Sequence, residues 1–250
     1  MRPGGEQLLS SLFLVRHGQA GTRDSYDSLS DLGRSQSRLL GEYLLSQGLT
    51  FSAAYSGGLE RQKQTAAEVA SAYEQAGISF PPATVDCGLD EFDLTRVYRE
   101  IAPQLAEING EFRDQYDEMR RQIKQNIGVH DASVHRRWWP CDSLMVEAWI
   151  SGKFQYAGES WEGFHERVST CGLKLCGASP EGNVLIFTSA TPTGVLTAMA
   201  LGAPVERVRS LAGVLYNSSY TLLRRRADRL HLFQFNAIPH LTTPDLRTHR

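Results

Sequence analysis

An apolar run that ends in a charged pair is the feature that most constrains this chain. Residues 12–15 are Leu-Phe-Leu-Val, and they lead directly into Arg16, His17, Gly18 and Gln19. Four consecutive apolar residues are typical of a central strand covered on both faces, and in open α/β sheets ligands bind beyond the carboxyl ends of the strands. Arg16 and His17 are therefore predicted to face a ligand crevice.

The residue types at this strand end suit phosphate chemistry. An arginine can grip a phosphate through two parallel hydrogen bonds, and an imidazole can act as a nucleophile toward phosphorus. Gly18 allows a sharp turn and a close approach of the ligand. A strand end whose Arg16 and His17 are merely solvated is the alternative, and the tripeptide alone would favour it.

Composition narrows the class of protein. The chain has 250 residues, of which 41% are hydrophobic, so it can bury a large core, and we expect one domain over residues 1–250. A net charge of -2 argues against a general nucleic-acid binder. The four cysteines lack metal-ligand spacing, and no apolar run reaches the length of a membrane span. We expect a cytoplasmic protein without a metal, nucleic-acid or membrane partner.

Arg16-His17-Gly18 after an apolar strand resembles the signature of the histidine phosphatase superfamily, the phosphoglycerate mutase-like proteins, in which the histidine becomes transiently phosphorylated. The resemblance implies an α/β fold, a three-layer α/β/α sandwich with a mostly parallel central sheet. It also implies catalysis without a metal or other cofactor.

Two further segments carry the resemblance. Residues 29–36 are similar to the family's Leu-Thr-x-x-Gly-x-x-Gln helix, which Ser30 is placed to cap. Residues 56–66 are similar to its Ser-x-x-x-x-Arg-x-x-x-Thr-Ala segment, which implies that Arg61 is the second phosphate-binding arginine. The alternative for Arg61 is an ordinary exposed helix arginine.

An acidic segment supplies the candidate proton donor. The family carries Leu-x-Glu at the position of Leu89-Asp90-Glu91, and its glutamate is taken to protonate the leaving oxygen. Glu91 is therefore the implied general acid, which contributes about 10²–10⁴-fold in such reactions. From the sequence, Asp90 and Asp93 are equally good carboxylates.

The second buried strand departs from the family pattern. Residues 183–190 match the strand that normally ends in Ser-His-Gly, and the alignment puts Ser189 on the histidine and Ala190 on the glycine. A serine keeps one hydrogen bond but loses a cation, which should cost about 10²–10³ in rate. The other histidines, including His240, are expected to be scaffold or surface residues.

A long charged insertion at about residues 94–157 is expected to form a helical cap, which in the family covers the site and decides substrate preference. Its basic and aromatic residues could meet the organic part of a phosphate ester, although tryptophans more often pack. These residues are His130, His135, Arg136, Arg137, Trp138 and Trp139.

The sequence thus predicts a phosphatase that hydrolyses a small phosphate monoester through a phosphohistidine. His17 and Glu91 are the predicted catalytic residues, and the predicted phosphate-binding residues are Arg16, Arg61, Ser189 and Gln19. A phosphoglycerate mutase-type phosphoryl transferase and a non-catalytic phosphate-ester-binding pseudoenzyme are the alternatives. The oligomeric state is left open.

Overall fold

The computed structural model describes residues 11–22, 27–125, 139–178, 182–226 and 229–249. In chain order, its strands and helices are β1 (Ser11–Arg16), α1 (Asp31–Ser46), β2 (Ala53–Ser56), α2 (Glu60–Gln75), β3 (Ala83–Val85), α3 (Leu94–Ile108), α4 (Gly110–Gln125), α5 (Pro140–Ser151), α6 (Trp161–Ala178), β4 (Asn183–Thr188), α7 (Ala190–Leu201), α8 (Val208–Gly213), β5 (Tyr220–Arg226) and β6 (Arg229–Ala237).

The six strands form one sheet in the order β3-β2-β4-β1-β5-β6. The first four strands in this order run parallel, whereas β5 is antiparallel to both β1 and β6. This confirms the predicted α/β fold with a mostly parallel sheet, and β5 and β6 form an antiparallel pair at its edge. Strand β1 lies between β4 and β5, as its continuous apolar sequence requires.

The two faces of the central strands are buried against different groups of helices. Phe13 and Val15 of β1 join Leu185 and Phe187 of β4 in a core cluster that includes apolar residues of α1 and α2. The alternate residues, among them Leu14, are fully buried as well. Helices on both faces therefore explain why these strands read as unbroken apolar runs rather than as alternating patterns.

The chain divides into two compact units. The first contains the sheet and the segments Ser25–Glu91 and Arg167–His249, and the second consists mainly of Phe92–Glu166. The single domain with a cap at about 94–157 stays a prediction. His130, His135, Arg136, Arg137 and Trp138 lie outside the described residues.

The second unit is a helical cluster with its own core. The Phe92 ring stacks on Trp149 at a centroid distance of 4.3 Å. The buried Asp142 accepts hydrogen bonds from the Tyr98 hydroxyl (2.6 Å) and from the backbone N–H of Trp139 (2.7 Å), and the second of these bonds helps to cap α5. Trp139 is itself buried.

None of the helices in the described part of the chain combines the length and apolar character that crossing a bilayer requires.

A close backbone approach fixes the loop that follows His17. Ser30 caps α1 by accepting the Gly33 N–H at 3.1 Å, as predicted, and its own N–H donates to the carbonyl of Gln19 at 2.9 Å. A Cβ added to Gly33 would collide with the backbone of Gln19, and one added to Gly18 would collide with the Gly33 carbonyl. The glycine of the α1 pattern is therefore required by the packing of this loop.

Gly33→Ala should destabilise the fold and distort the site together. The new methyl group must push the Gln19 backbone away, and overpacking of this kind costs about 1–3 kcal/mol. Denaturant unfolding and phosphate binding of the variant would measure both effects.

Gly177→Ala, in α6, is the matched control, because its added Cβ meets no described atom within 4 Å. It should change the unfolding free energy by less than about 1 kcal/mol, in the stabilising direction. Equal effects of the two substitutions would contradict this account of Gly33.

Candidate active site

Three neighbouring parallel strands end at the site. Arg16 pairs with Thr188 across β1 and β4, and the His17 N–H donates to the Thr188 carbonyl at 2.9 Å. The Gly57 N–H, just beyond β2, donates to the Phe187 carbonyl at 3.0 Å. This register brings His17 and Ser189 to the same edge of the sheet.

The His17 ring is buried, with 2% of its surface exposed, and both of its nitrogens have partners. Nδ1 lies 2.8 Å from the Gly18 carbonyl oxygen. Because a carbonyl oxygen only accepts, we place the proton of the neutral ring on Nδ1. The Nε2 lone pair then accepts a hydrogen bond from Arg61 Nε at 3.2 Å. Nε2 is consequently the nitrogen available for attack.

Burial lowers the pKa of His17 well below its ordinary value near 6.5, and the nearby charges of Arg61 and Arg16 lower it further. The ring is therefore neutral at pH 7, and the neutral ring is the nucleophilic form. Since the unfolded chain binds this proton near pH 6.5 and the folded chain does not, His17 reduces the free energy of unfolding as the pH falls below that value.

Two buried guanidinium groups surround this imidazole. Arg16 leaves the end of β1, and its Nη1 donates to the Leu215 carbonyl. Arg61 lies in the first turn of α2, where its Nη1 donates to Asp27 Oδ1 at 3.1 Å while its Nε reaches His17. Arg61 is thus not the exposed helix arginine of the alternative interpretation. Two cations held beside a neutral nucleophile suit an anionic ligand.

Two further predicted residues meet at the N-terminus of α7. Ser189 is the N-cap residue and is fully buried, and its Oγ accepts a hydrogen bond from Gln62 Nε2 at 2.9 Å. Glu91 Oε2 accepts the Thr191 N–H at 3.0 Å in the same turn. The structure therefore brings Ser189 and Glu91 to one helix N-terminus, directly after the strand paired with β1.

The remaining predicted residues have local partners. Gln19 Oε1 accepts the Ser30 hydroxyl at 2.8 Å. Asp90 Oδ1 accepts the Gly58 N–H at 2.5 Å, and burial raises the pKa of this carboxyl group. Asp93 caps α3 by accepting the Arg96 N–H at 2.9 Å. These contacts give the partners of the three side chains, whose predicted roles remain untested.

The C-terminal segment lies close to Arg16, which the sequence did not predict. His249 packs against Tyr216, with ring centroids 3.9 Å apart, and Arg16 donates to the carbonyl of the adjacent Leu215. The Asn217 N–H holds this segment by donating to the Thr248 carbonyl at 2.8 Å. No motif in the sequence links residues so far apart, so only the fold could have found them.

The other histidine of interest is structural. His240 is buried, and its Nε2 lies 3.2 Å from the Ser218 hydroxyl. Burial lowers the pKa of His240 to about 4, so it is a neutral packing residue at physiological pH. Among the described residues, no group of three or more His, Cys, Asp or Glu side chains could hold a metal ion.

Inorganic phosphate should bind at Arg61 and raise the melting temperature, because a ligand that binds only the native state stabilises it by mass action. Arg61→Ala should abolish this shift. Arg38→Ala is the matched control, since Arg38 is a half-exposed helix arginine paired with Glu68. Thermal unfolding with and without phosphate measures the shift, and an undiminished shift in Arg61→Ala would place the anion elsewhere.

Comparison with known structures supports the fold. A putative alpha-ribazole-5'-P phosphatase from Escherichia coli is 19% identical, with a TM-score of 0.62, and the match covers 91% of this chain and 96% of that one. A phosphoserine phosphatase variant from Entamoeba histolytica, solved with phosphoserine, is 16% identical, with a TM-score of 0.57 and coverage of 93% and 99%. A phosphoglycerate mutase from Bacillus anthracis is 18% identical, with a TM-score of 0.54 and coverage of 93% and 95%.

No curated protein matches the chain significantly. The family model described as "Histidine phosphatase superfamily (branch 1)" matches residues 12–145 and 128–238. These residues are most of the chain and include His17, Arg61 and Ser189. The protein therefore belongs to the histidine phosphatase superfamily.

Proposed function

We propose that this protein is a phosphatase that hydrolyses a small phosphate monoester through a phosphohistidine at His17. The observation that carries the proposal is the state of the His17 ring, which is buried and neutral, with its Nε2 lone pair directed at a guanidinium N–H. A phosphoryl group bound by Arg61 would meet that lone pair. The second buried arginine, Arg16, adds charge to the same site.

In the first step, His17 Nε2 attacks phosphorus and the bond from phosphorus to the ester oxygen breaks. Glu91 gives its proton to the departing oxygen, which leaves as an alcohol. Arg16 and Arg61 hold the phosphoryl oxygens, with Gln19 and Ser189 as additional donors. In the second step, water attacks phosphorus, Glu91 takes the water proton, and phosphate leaves a neutral His17 behind.

The names of structurally similar proteins support a small phosphorylated substrate. The structurally similar proteins include phosphatases whose names specify alpha-ribazole-5'-P and phosphoserine, which are small monoesters.

The four cysteines are all free thiols, as is usual in a reducing compartment, and we place the enzyme in the cytoplasm.

A non-catalytic phosphate-ester sensor is the second candidate, and the observation that favours it is Ser189 in place of a histidine. A mutase is the third candidate, since one similar structure is a phosphoglycerate mutase. Product analysis separates the three. A phosphatase releases inorganic phosphate, a mutase returns the phosphoryl group to an organic acceptor, and a sensor does neither.

Acid-sensitive phosphate should appear on His17 during turnover. Protein mixed briefly with a ³²P-labelled monoester, denatured in alkali and digested should carry label on the peptide that contains His17. His17→Ala should lose both label and turnover, because no other histidine has an equivalent environment among the described residues. His231→Ala, an exposed histidine of β6, is the control and should retain both. Normal turnover in His17→Ala would contradict the mechanism.

Glu91→Gln should reduce turnover in proportion to the basicity of the leaving group. For an alkyl phosphate, whose alkoxide needs a proton, the loss should be about 10²–10⁴-fold, whereas p-nitrophenyl phosphate should lose much less. Steady-state kinetics on both substrates measures this difference.

Asp90→Asn and Asp93→Asn are matched controls, because an asparagine retains the acceptor oxygen that each aspartate offers to the backbone. Neither should show the dependence on leaving group. If Asp90→Asn showed it and Glu91→Gln did not, Asp90 would be the general acid.

A further inference from the structure

We propose that Gln62 is a positioning residue that holds the Ser189 hydroxyl as a hydrogen-bond donor to the phosphoryl group. Gln62 and Ser189 together then provide an uncharged donor in place of the histidine that the family pattern carries at position 189. This inference rests on the proposed function. It assigns to Gln62 a role that no sequence motif indicated.

The orientation of the Gln62 amide follows from its partners. Gln62 is fully buried in the first turn of α2, next to Arg61. Its Oε1 accepts the Leu59 N–H at 3.2 Å, and its Nε2 donates to the Leu89 carbonyl at 3.3 Å. Because a backbone N–H only donates and a carbonyl oxygen only accepts, the amide can take only this orientation. Its Nε2 must then donate to Ser189 Oγ as well.

The hydrogen bond from Gln62 determines whether the Ser189 hydroxyl can act as a donor. With its oxygen accepting from Gln62, the hydroxyl has its proton left to give, and no described residue accepts that proton. An accepted hydrogen bond also polarises the hydroxyl and makes it a better donor. Ser189 comes directly after β4, and His17 comes directly after the neighbouring strand β1, so both lie at the same edge of the sheet. A phosphoryl group on His17 would therefore present its oxygens on the side of the sheet where Ser189 lies.

Gly57 provides the space that the Gln62 amide occupies. A Cβ added to Gly57 would collide with Gln62 Oε1, so the glycine after β2 leaves the space that this side chain fills. Serine is shorter than histidine by most of an imidazole ring. The Gln62 amide, in contact with Ser189 Oγ and fully buried, occupies space into which a longer side chain at position 189 would have to extend.

A double-mutant cycle tests whether Gln62 acts through Ser189. The variants are Gln62→Met, Ser189→Ala and the pair, with Gln75→Met at the exposed end of α2 as control. The measurements are the Kd of inorganic phosphate by calorimetry and the turnover of a monoester. We expect each single variant to bind phosphate about 10-fold more weakly than the wild type. The double variant should bind phosphate no more weakly than Ser189→Ala, and Gln75→Met should bind it normally. If the losses of affinity in the two single variants multiplied in the double variant, or if Gln62→Met lost no affinity, the proposal would be overturned.

Gln62→Glu provides a second variant of almost identical shape, in case Gln62→Met does not fold. A carboxylate accepts where the amide donates, so it would take the Ser189 proton, and phosphate binding should fall by at least as much as in Ser189→Ala. Unchanged phosphate affinity would overturn the proposal. Because phosphate binding needs no turnover, the cycle still decides the role of Gln62 if His17 proves not to be phosphorylated.

The shared space is tested by restoring a histidine. Ser189→His alone should bind phosphate poorly, because the imidazole meets the Gln62 amide. Gln62→Ala combined with Ser189→His should recover phosphate affinity to at least the wild-type value. If Ser189→His alone bound phosphate as well as the double variant, the two side chains would not share one space, and the proposal would fail.

Discussion

The pairing of β1 with β4 is the constraint on which the site depends. It places the backbone of Arg16 beside that of Thr188, and the His17 N–H extends the ladder by one more hydrogen bond. Every side chain that we assign to phosphoryl transfer lies on a segment that leaves this sheet edge or packs against it. A shift of one residue would turn the paired side chains to the opposite face of the sheet, so the burial of both strands also fixes the geometry of the site.

The electrostatics of the site favour an anion at some cost to the fold. Two buried guanidinium groups and a buried imidazole are unfavourable without partners, and the Leu215 carbonyl and the exposed Asp27 carboxylate supply part of the compensation. A phosphoryl group would supply more, because it carries negative charge on three oxygens. The same burial keeps His17 neutral, so the feature that strains the fold also prepares the nucleophile.

Much of the fold was predictable because it depends on local patterns. The apolar runs predicted β1 and β4, and Ser30 caps α1 as expected. The pattern of residues 56–66 singled out Arg61 as a candidate phosphate-binding residue.

Contacts made across long stretches of chain were not predictable. Gln62 and Ser189 are 127 positions apart, and the sequence does not show which buried amide meets which hydroxyl. The three neighbouring acids also look alike in the sequence. In the structure, Asp93 caps α3, whereas Glu91 reaches the first turn of α7.

The stereochemistry at phosphorus tests the central claim most directly. A phosphorothioate monoester made chiral with oxygen isotopes, and hydrolysed in water of a third isotope, yields chiral thiophosphate whose configuration can be measured. Transfer to His17 and then to water consists of two in-line displacements, each of which inverts phosphorus, so the account predicts overall retention. Inversion would mean direct attack by water and would contradict a phosphohistidine at His17.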